Sequence, residues 1–414
     1  MNSINYNILL PSIKVLKIVS NITRTFNYKD KECRNIVISN LLPCGNGDRV
    51  LLYSRETGGK TLKYKWNTKG ISNYRIIKAI DWLEKEKLIF NIIASKYQLL
   101  DDTKRMSMCY PTSDFINIFC TKAGIVEKAR DEQIKAHPVV ILRNEDKEDM
   151  EFKETKEVSD YIAHMQLLNL NNSKFLVLHD NQKLDTEYKR VFNHGSFTYN
   201  GRMYSNNIMN IENRISKNRL RITINGDNVA EVDYSALHLR LLANINDYTL
   251  PTEDLYYLML PEGRKTKENR TVIKLCSVSM LNVSSEKAAL LSFRNHLNSV
   301  TGHDFTSPSE VLTYIYSILN ERIIDSLYKD HIGLKLCNIE SRIMSKVCSS
   351  FVELELPIFP IHDSALVRQQ DYELLACMMA DYYKQVMKLP ESSIVPMQVS
   401  MFIDGLLVKR DVSQ

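Results

Sequence analysis

Two acids and two cations are the residues whose types and spacing could do chemistry together. Asp233 lies near the end of an alternating apolar segment, and Asp363 lies in a His-Asp pair after a second apolar run. Arg270 and Lys274 fall between them in sequence, four residues apart, and therefore on one face of a helix. Two carboxylates can hold a pair of Mg²⁺ ions, and neighbouring cations can bind the phosphates of a triphosphate. Phosphoryl transfer needs this combination of charge neutralisation and positioning.

Each of these features has an ordinary structural interpretation when it is taken alone. An aspartate at a strand end often caps a helix, an Arg–Lys pair one turn apart often lies on a solvated face, and His-Asp often forms a turn. The order of these residues along the chain, together with the sequence around each of them, favours a shared site.

The elements around Asp233 are predicted to be a hairpin followed by a helix. Residues 219–224 and 229–234 alternate in polarity and flank Asn225-Gly226, which favours a tight two-residue turn. Ser235 is then in position to cap a helix that carries an apolar stripe, Leu237, Leu241, Leu242 and Ile245. Asp233 is therefore predicted to lie where a strand passes into a helix.

The elements around Asp363 are predicted to be two strands joined by a tight turn. Residues 356–367 read as a strand, the His362-Asp363 turn and a second strand. Pro357 and Pro360 cannot donate to a sheet, so the first strand should be short or lie at an edge. The flanking pattern predicts helices over 341–352 and 371–388 and a closing strand region over 394–407.

In this order the motifs resemble those of the family A DNA polymerases. Residues 233–240, DYSALHLR, resemble the family's first catalytic motif, DYSQIELR, and residues 270–274, RTVIK, resemble the start of its fingers-helix motif, RxxxK. Residues 362–364, HDS, resemble its last motif, HDE, and residues 200–205, NGRMYS, resemble TGRLSS. The four motifs span roughly residues 195–410, and their joint match is specific although no single motif is.

The resemblance implies a role for each matching residue. Asp233 and Asp363 would be the ligands of two Mg²⁺ ions, with Mn²⁺ as the alternative metal, and the backbone carbonyl of Tyr234 would assist. Arg270 and Lys274 would bind the incoming nucleoside triphosphate. Lys274 would also donate a proton to the leaving pyrophosphate.

The resemblance also implies primer contacts, and it has clear departures. Arg202 and His362 would contact the primer strand, with a structural salt bridge and a hydrogen-bonded turn as the respective alternatives. His238 replaces the glutamate that excludes the ribose 2′-hydroxyl in the family, although a helix-surface histidine is the alternative. Val278 and Asn282 replace aromatic residues that contact the nucleotide. These changes, and the HDS motif that also occurs in single-subunit RNA polymerases, leave the choice between dNTPs and NTPs open.

The first hundred residues predict a separate small module. Ser72 could cap a helix with one apolar stripe between Ile76 and Leu88, and the opposite face carries Arg75, Lys78 and Lys85. Strand-like segments at 88–93 and 97–100 follow, which is the order of a winged helix. We interpret this module as nucleic-acid-binding, with Arg75 and Lys78 contacting primer–template DNA. A packed helix with a solvated basic face is the alternative.

The predicted fold class is α+β. We expect a right-hand polymerase core, with an antiparallel palm sheet and helical fingers and thumb, plus the N-terminal winged-helix-like module. The predicted boundaries are 1–105 for the module, 106–195 for a helical linker or thumb-like region, and 196–414 for the palm and fingers. We expect no proofreading exonuclease. The segment before residue 195 is too short for such a domain and lacks a group of acidic residues that could bind its metal ions.

Composition narrows the class of protein further. The chain has 414 residues, 44% hydrophobic and 25% charged, which allows a sizeable core, and its net charge of +5 weakly favours polyanionic partners. No apolar run is long enough to span a membrane, and the first ten residues lack the basic start of a secretory signal. None of the eight cysteines forms a CxxC pair, so a zinc site is not expected. Reduced cysteines are expected instead, which favours a location in the reducing cytoplasm.

The sequence therefore predicts a DNA-directed DNA polymerase without proofreading that acts in the cytoplasm, in the replication of a plasmid, phage or other mobile element. Its partners would be primer–template DNA and nucleoside triphosphates, without a membrane, and any further replication proteins are unidentified. Two alternatives stand beside this hypothesis. One is a non-catalytic DNA-binding replication or regulatory protein on a polymerase-like scaffold, and the other is an RNA polymerase or primase-like enzyme.

Overall fold

The computed structural model describes residues 13–45, 51–53, 55, 71–93, 107–121, 126, 139–205, 207–211 and 218–414. The chain divides into two compact units. The N-terminal unit contains residues 1–138 and 181–185, and the C-terminal unit contains residues 139–180 and 186–414. These limits differ from the predicted boundaries at 105 and 195, because part of the segment predicted as a linker belongs to the C-terminal unit.

The N-terminal unit combines helices with a small antiparallel sheet. Its helices are α1 (Ile13–Ile22), α2 (Lys31–Leu41), α3 (Asn73–Lys85) and α4 (Ser113–Phe115), which continues as a π-helical turn, Ile116–Cys120. Its sheet strands are β1 (Leu51–Tyr53), β2 (Ile89–Ile92) and β3 (Ser107–Pro111), in the order β1-β3-β2. Buried side chains of α2, α3 and α4 form a core of this unit, including Val37, Leu41, Ile76, Ile80 and Phe115.

The predicted elements of the module are found where the described residues reach. Ser72 precedes α3 as its N-cap residue, although its side chain makes no capping hydrogen bond. Strand β2 confirms the strand predicted over 88–93, and the one predicted over 97–100 lies outside the described residues.

The C-terminal unit contains most of the helices and strands. Its helices are α5 (Lys156–Asn172), α6 (Leu237–Ile245), α7 (Leu255–Leu258), α8 (Lys267–Met280), α9 (Glu286–Ser299), α10 (Pro308–Tyr316), α11 (Glu321–Ser326), α12 (Ile332–Glu353) and α13 (Tyr372–Met387). The strands from here to the C-terminus are β4 (Val140–Arg143), β5 (Asp149–Met150), β6 (Val177–His179), β7 (Gln182–Lys183), β8 (Tyr188–Phe192), β9 (Asn200–Ser205), β10 (Ile222–Ile224), β11 (Asp227–Tyr234), β12 (Phe359–Ile361), β13 (Ser364–Arg368), β14 (Met397–Ile403) and β15 (Leu406–Asp411). Of these, β7 belongs to residues 181–185 of the N-terminal unit.

An antiparallel sheet forms the centre of the C-terminal unit. Its strands follow the order β12-β13-β11-β10-β6, and β14 pairs with both β11 and β15. The predicted hairpin around Asn225-Gly226 is confirmed, with Ile224 opposite Asp227 and with φ angles of 53° and 92° at the two turn residues. Positive φ at both positions suits asparagine and glycine, which explains why this signal was readable from the sequence.

The predicted strand–turn–strand around Asp363 is also confirmed. Strands β12 and β13 pair with Ile361 opposite Ser364, so that His362 and Asp363 form the turn between them. Strand β12 has three residues and lies at one end of the sheet order, as expected from Pro360, which lacks a backbone donor.

Helix α6 does not begin as predicted. Its N-cap residue is Ala236, in the left-handed conformation with φ of 52°, and no side chain caps the helix. Ser235 is instead fixed through its backbone, because its N–H donates to the Pro396 carbonyl over 2.9 Å and its own carbonyl accepts from Arg240 Nε over 2.9 Å. The backbone bonds to neighbouring segments therefore override the local capping preference.

The segment predicted to be helical before residue 195 is mixed. It contains one long helix, α5, together with strands that include β4, β5, β6 and β8. A second sheet has the order β5-β4-β8-β9, in which β4 and β8 run parallel. The β-branched run from Val139 to Ile141 favours a strand, and the charged residues that follow hide this signal.

Helix α12 is the helix around which several elements of the C-terminal unit pack. It packs against β9, α5, α6 and α13. Near its start, a side chain at Gly333 would lie 2.4 Å from the carbonyl oxygen of Leu281, just after α8, so only glycine allows this approach. Among the described helices, none combines the length and apolar character that a membrane span requires.

Candidate active site

A cavity of about 280 Å³ in the C-terminal unit gathers most of the residues singled out from the sequence. The predicted residues that line it are Arg202, Asp233, Tyr234, His238, Lys274, Val278, Asn282, His362 and Asp363. Arg270 is not among the lining residues, and Arg75 and Lys78 belong to the N-terminal unit. The cavity therefore brings together residues from β9, β11, α6, α8 and the β12–β13 turn.

Sheet register brings the two acids into the same part of the sheet. Asp233 lies opposite Ser364 in the pairing of β11 with β13, and Asp363 immediately precedes Ser364. The backbone N–H of Tyr234 donates to the carbonyl oxygen of Asp363 over 3.2 Å. The Tyr234 phenol points away to α13, where it donates to the Met379 carbonyl over 2.6 Å. Only the backbone of Tyr234 is thus available to assist a metal ion.

The two acids differ in their surroundings. Asp233 is exposed, whereas Asp363 is partly buried. Burial raises the pKa of Asp363 and the nearby charge of Glu340 raises it further, whereas the charges of His238 and Arg202 act to lower it. Among the described residues, none forms an ion pair with Asp363. Because the pKa of Asp363 is raised overall, a further cation beside this carboxylate would stabilise its charged form.

Glu340, which the sequence did not reveal, lies behind the cavity wall. It is 1% exposed on α12, and its carboxylate accepts from Arg202 Nε over 2.7 Å and from His238 Nε2 over 2.7 Å. Nη2 of Arg202 donates to the same carboxylate. One buried acid therefore connects β9, α6 and α12.

The charges within this cluster are mutually stabilised. Burial acts to raise the pKa of Glu340, but the hydrogen bond from His238 and the charge of Arg202 lower it to about 2. Burial acts to lower the pKa of His238, but its contacts with Cys337 and Glu340 raise it to about 10. At neutral pH the cluster is thus a carboxylate between an imidazolium and a guanidinium.

Two groups of side chains can be tested as metal sites. Ligand atoms of His238, Cys337 and Glu340 lie within 4.8 Å of one another. However, the guanidinium of Arg202 already occupies the Glu340 carboxylate and would repel a cation, so these residues form an ion-pair cluster. Asp233 and Asp363 fit a metal better, because their carboxylate oxygens are the ligands that Mg²⁺ prefers.

The two cations of α8 are separated by their partners. Lys274 is exposed and its Nζ lies 6.0 Å from the centre of the Tyr256 ring, on the cavity wall. Arg270 donates through Nε to Asp254 Oδ2 over 2.7 Å, and its guanidinium lies over Tyr256 and Tyr257 at 5.4 and 5.3 Å. The predicted pair of phosphate-binding residues is therefore divided, with Lys274 facing the cavity and Arg270 held beside it.

His362 is held in a conformation that few residues adopt. Its φ is 57°, and the ring lies 5.4 Å from that of Tyr204. Burial lowers the pKa of His362 to about 4, and the charge of Arg202 acts in the same direction. Its Nδ1 is buried and has no hydrogen-bond partner in the described part of the chain. The neutral ring therefore keeps one nitrogen unpaired inside the protein.

The face of α8 toward the cavity carries no aromatic residue. Val278 is 47% exposed, and Asn282 lies beyond the end of the helix, where its Nδ2 donates to the Val278 carbonyl over 2.9 Å. Aromatic residues reach the cavity wall from other elements, and one of them is Tyr256 of α7. No local sequence signal indicates this position of Tyr256, because nothing in the sequence links its helix to α8.

The basic face of α3 in the N-terminal unit is partly neutralised. Arg75 Nε lies 2.8 Å from Asp30 Oδ2, and Nη2 lies 3.3 Å from Glu32. Lys78 is exposed, and its Nζ lies 5.5 Å from the centre of the Tyr74 ring. Of the two residues predicted to contact DNA, Arg75 is paired with acids, and Lys78 has no ion pair with another residue in the described part of this unit.

Comparison with known proteins gives no family assignment. A scan against protein-family models finds no match, and a search of curated proteins finds no match either. The function must therefore be argued from the geometry of the cavity.

Proposed function

We propose that the chain is a template-directed nucleotidyltransferase, specifically a DNA-directed DNA polymerase without proofreading. The observation that carries this proposal is the pairing of β11 with β13. It brings Asp233 and Asp363, which are far apart in sequence, to one cavity that Lys274 also lines. Nucleotidyl transfer needs acids that hold divalent ions and a cation for the departing phosphates.

Asp233 and Asp363 would hold two Mg²⁺ ions, with Mn²⁺ as the alternative and with the Tyr234 carbonyl assisting. When bound, these ions would activate the primer 3′-hydroxyl and neutralise the pyrophosphate. The donor set supports this assignment, since both acids offer hard oxygen ligands and Asp363 is partly buried without an ion pair among the described residues.

The remaining residues in and beside the cavity would have roles that follow from their contacts. Lys274 would bind the triphosphate and protonate the pyrophosphate, and Arg270 would support it from its position beside Asp254. Arg202 and His362, which both line the cavity, would contact the primer. Val278 and Tyr256 would contact the base, taking over from the aromatic residues that this chain lacks on α8.

The fold supports the proposal at two levels. The chain is α+β, and its antiparallel central sheet carries both acids as a polymerase palm would. Helices α8 to α11 would then be the fingers. In the N-terminal unit, α3 is followed by β2 and β3 in one antiparallel sheet, an arrangement that favours a winged-helix-like module for primer–template DNA.

The test is primer extension with the full chain, using dNTPs or NTPs in the presence of Mg²⁺. We expect extension by the wild type, and a loss of at least about a thousandfold in Asp233→Asn and in Asp363→Asn. Asp371→Asn is the matched control. Asp371 is also a partly buried acid, but it does not line the cavity, and it forms an ion pair with Arg368 over 2.7 Å. It should retain activity.

Absence of extension by the wild type with either set of nucleotides, on DNA and RNA templates, would favour a non-catalytic DNA-binding protein instead. A ribonucleotide polymerase or primase is the second candidate enzyme. His238 favours this candidate, because it places an imidazolium in the cavity. The family A DNA polymerases, which the motifs resemble, have a glutamate at the matching position. Equal extension with NTPs and dNTPs would select it.

A further inference from the structure

The ion pair between Arg202 and Glu340 uses only one side of the guanidinium. Nε and Nη2 donate to the two oxygens of Glu340, and Nη2 also lies 3.3 Å from His238 Nε2. No described residue accepts a hydrogen bond from Nη1. Because Arg202 lines the cavity, this leaves a nitrogen with two N–H donors for a ligand.

Three elements of the fold hold this ion pair in place. Arg202 comes from β9 and His238 from α6, and the carboxylate that joins them comes from α12. An arginine held by two parallel hydrogen bonds has little rotational freedom, so the direction of its remaining donors is fixed. Glu340 itself is too deeply buried to touch a ligand, so any effect it has on a reaction must pass through Arg202 and His238.

The reactant that Arg202 meets can be argued from its neighbours. The charge of Arg202 acts on His362 and Asp363, which form the turn between β12 and β13. Lys274 approaches the cavity from another element, α8. If Lys274 binds the triphosphate, Arg202 is placed for the other reactant, the primer strand.

We propose that Glu340 is a positioning residue that holds Arg202 so that its free Nη1 donates to an oxygen of the terminal primer nucleotide. This inference rests on the proposed function. It adds that the effect of Glu340 is on primer binding and that the chemical step and the triphosphate depend on other residues.

The test is steady-state primer extension by the full chain with Glu340→Gln. The amide turns a donor toward the guanidinium, so one of the two parallel hydrogen bonds is lost and Arg202 is released. We expect the KM for primer–template to rise about tenfold, with kcat and the nucleotide KM changed less than about threefold. Asp371→Asn, which breaks an ion pair away from the cavity, should leave all three values unchanged.

A second variant keeps the test decisive if Glu340→Gln fails to fold. Arg202→Lys keeps the positive charge beside Glu340 but removes Nη1, and it should raise the primer KM by a similar factor. An unchanged primer KM in folded Glu340→Gln or Arg202→Lys overturns the inference, and so does an equal rise in the nucleotide KM. If the wild type and both variants extend primers equally well, the inference about Glu340 is overturned but the proposed function stands. A wild type that extends no primer removes both.

Discussion

The backbone N–H of Tyr234 donates to the carbonyl oxygen of Asp363 over 3.2 Å, so the residue after one candidate metal ligand is hydrogen-bonded to the other. A side-chain change at either acid leaves this bond in place. The positions of the two acids are therefore set by the sheet, and variants of their carboxylates test chemistry with little effect on the fold.

The two cations of α8 should contribute unequally to nucleotide binding. Lys274 is exposed in the cavity, whereas the charge of Arg270 is neutralised by Asp254. We expect Lys274→Ala to raise the nucleotide KM by about tenfold or more and Arg270→Ala by about threefold or less, both measured by primer extension. Equal effects would mean that Arg270 leaves Asp254 when nucleotide binds, contrary to this expectation.

Gly333 should be intolerant of any side chain. A Cβ there would lie 2.4 Å from the backbone oxygen of Leu281, and backbone cannot move aside cheaply. We expect Gly333→Ala to lower the free energy of unfolding by about 1–3 kcal/mol, despite the better helix propensity of alanine. Gly263→Ala, which meets no atom within 4 Å, is the control in the same urea unfolding measurement. A stabilised Gly333→Ala would contradict the close approach of α12 to the end of α8.

The His238–Glu340 pair should make stability depend on pH. The pKa of His238 is raised from 6.5 to about 10, so its contribution is complete below pH 6.5 and is lost as pH rises through about 10. The pKa of Glu340 is lowered from 4.5 to about 2, so its contribution is present above pH 4.5 and is lost as pH falls through about 2. We therefore expect the wild type to lose stability on the alkaline side.

The measurement is the free energy of unfolding in urea at neutral pH and near pH 10. His238→Gln should show a smaller decrease between these two conditions than the wild type, because its side chain has no proton to lose. If both proteins lose the same amount, His238 does not carry the proton assigned to it.

The sequence revealed those parts of the site whose signals are local. Asn225-Gly226 indicates its own hairpin, and His362-Asp363 lies between two short apolar runs that predict two strands joined by a turn. Each signal lies within about ten residues of the acid that it positions. The joint placement of Asp233 and Asp363 then followed from their motifs and their order along the chain.

The parts that the sequence did not reveal depend on distant elements. Glu340 looks like any acid on a helix, and its role depends on Arg202 and His238, which lie on two other elements. The ion pair between Arg270 and Asp254 likewise joins two helices whose packing no local pattern encodes. Side-chain partners of this kind are decided by tertiary packing, so a helix-face argument could place Arg270 and Lys274 together but could not separate their roles.

Binding of duplex DNA by the N-terminal unit should depend more on Lys78 and Lys85 than on Arg75. Both lysines are exposed on α3, whereas Arg75 is neutralised by Asp30 and Glu32. Fluorescence anisotropy with the full chain should give an affinity that falls steeply between about 50 and 200 mM salt. Lys78→Ala with Lys85→Ala should reduce the slope of log affinity against log salt by about two, one contact for each lysine.

Arg75→Ala should leave the slope nearly unchanged and should lower thermal stability instead, because it leaves Asp30 without its partner. A slope that falls as much in Arg75→Ala as in the double variant would show that Arg75 exchanges its acidic partners for phosphate, and salt-independent binding would remove this face from the DNA interface.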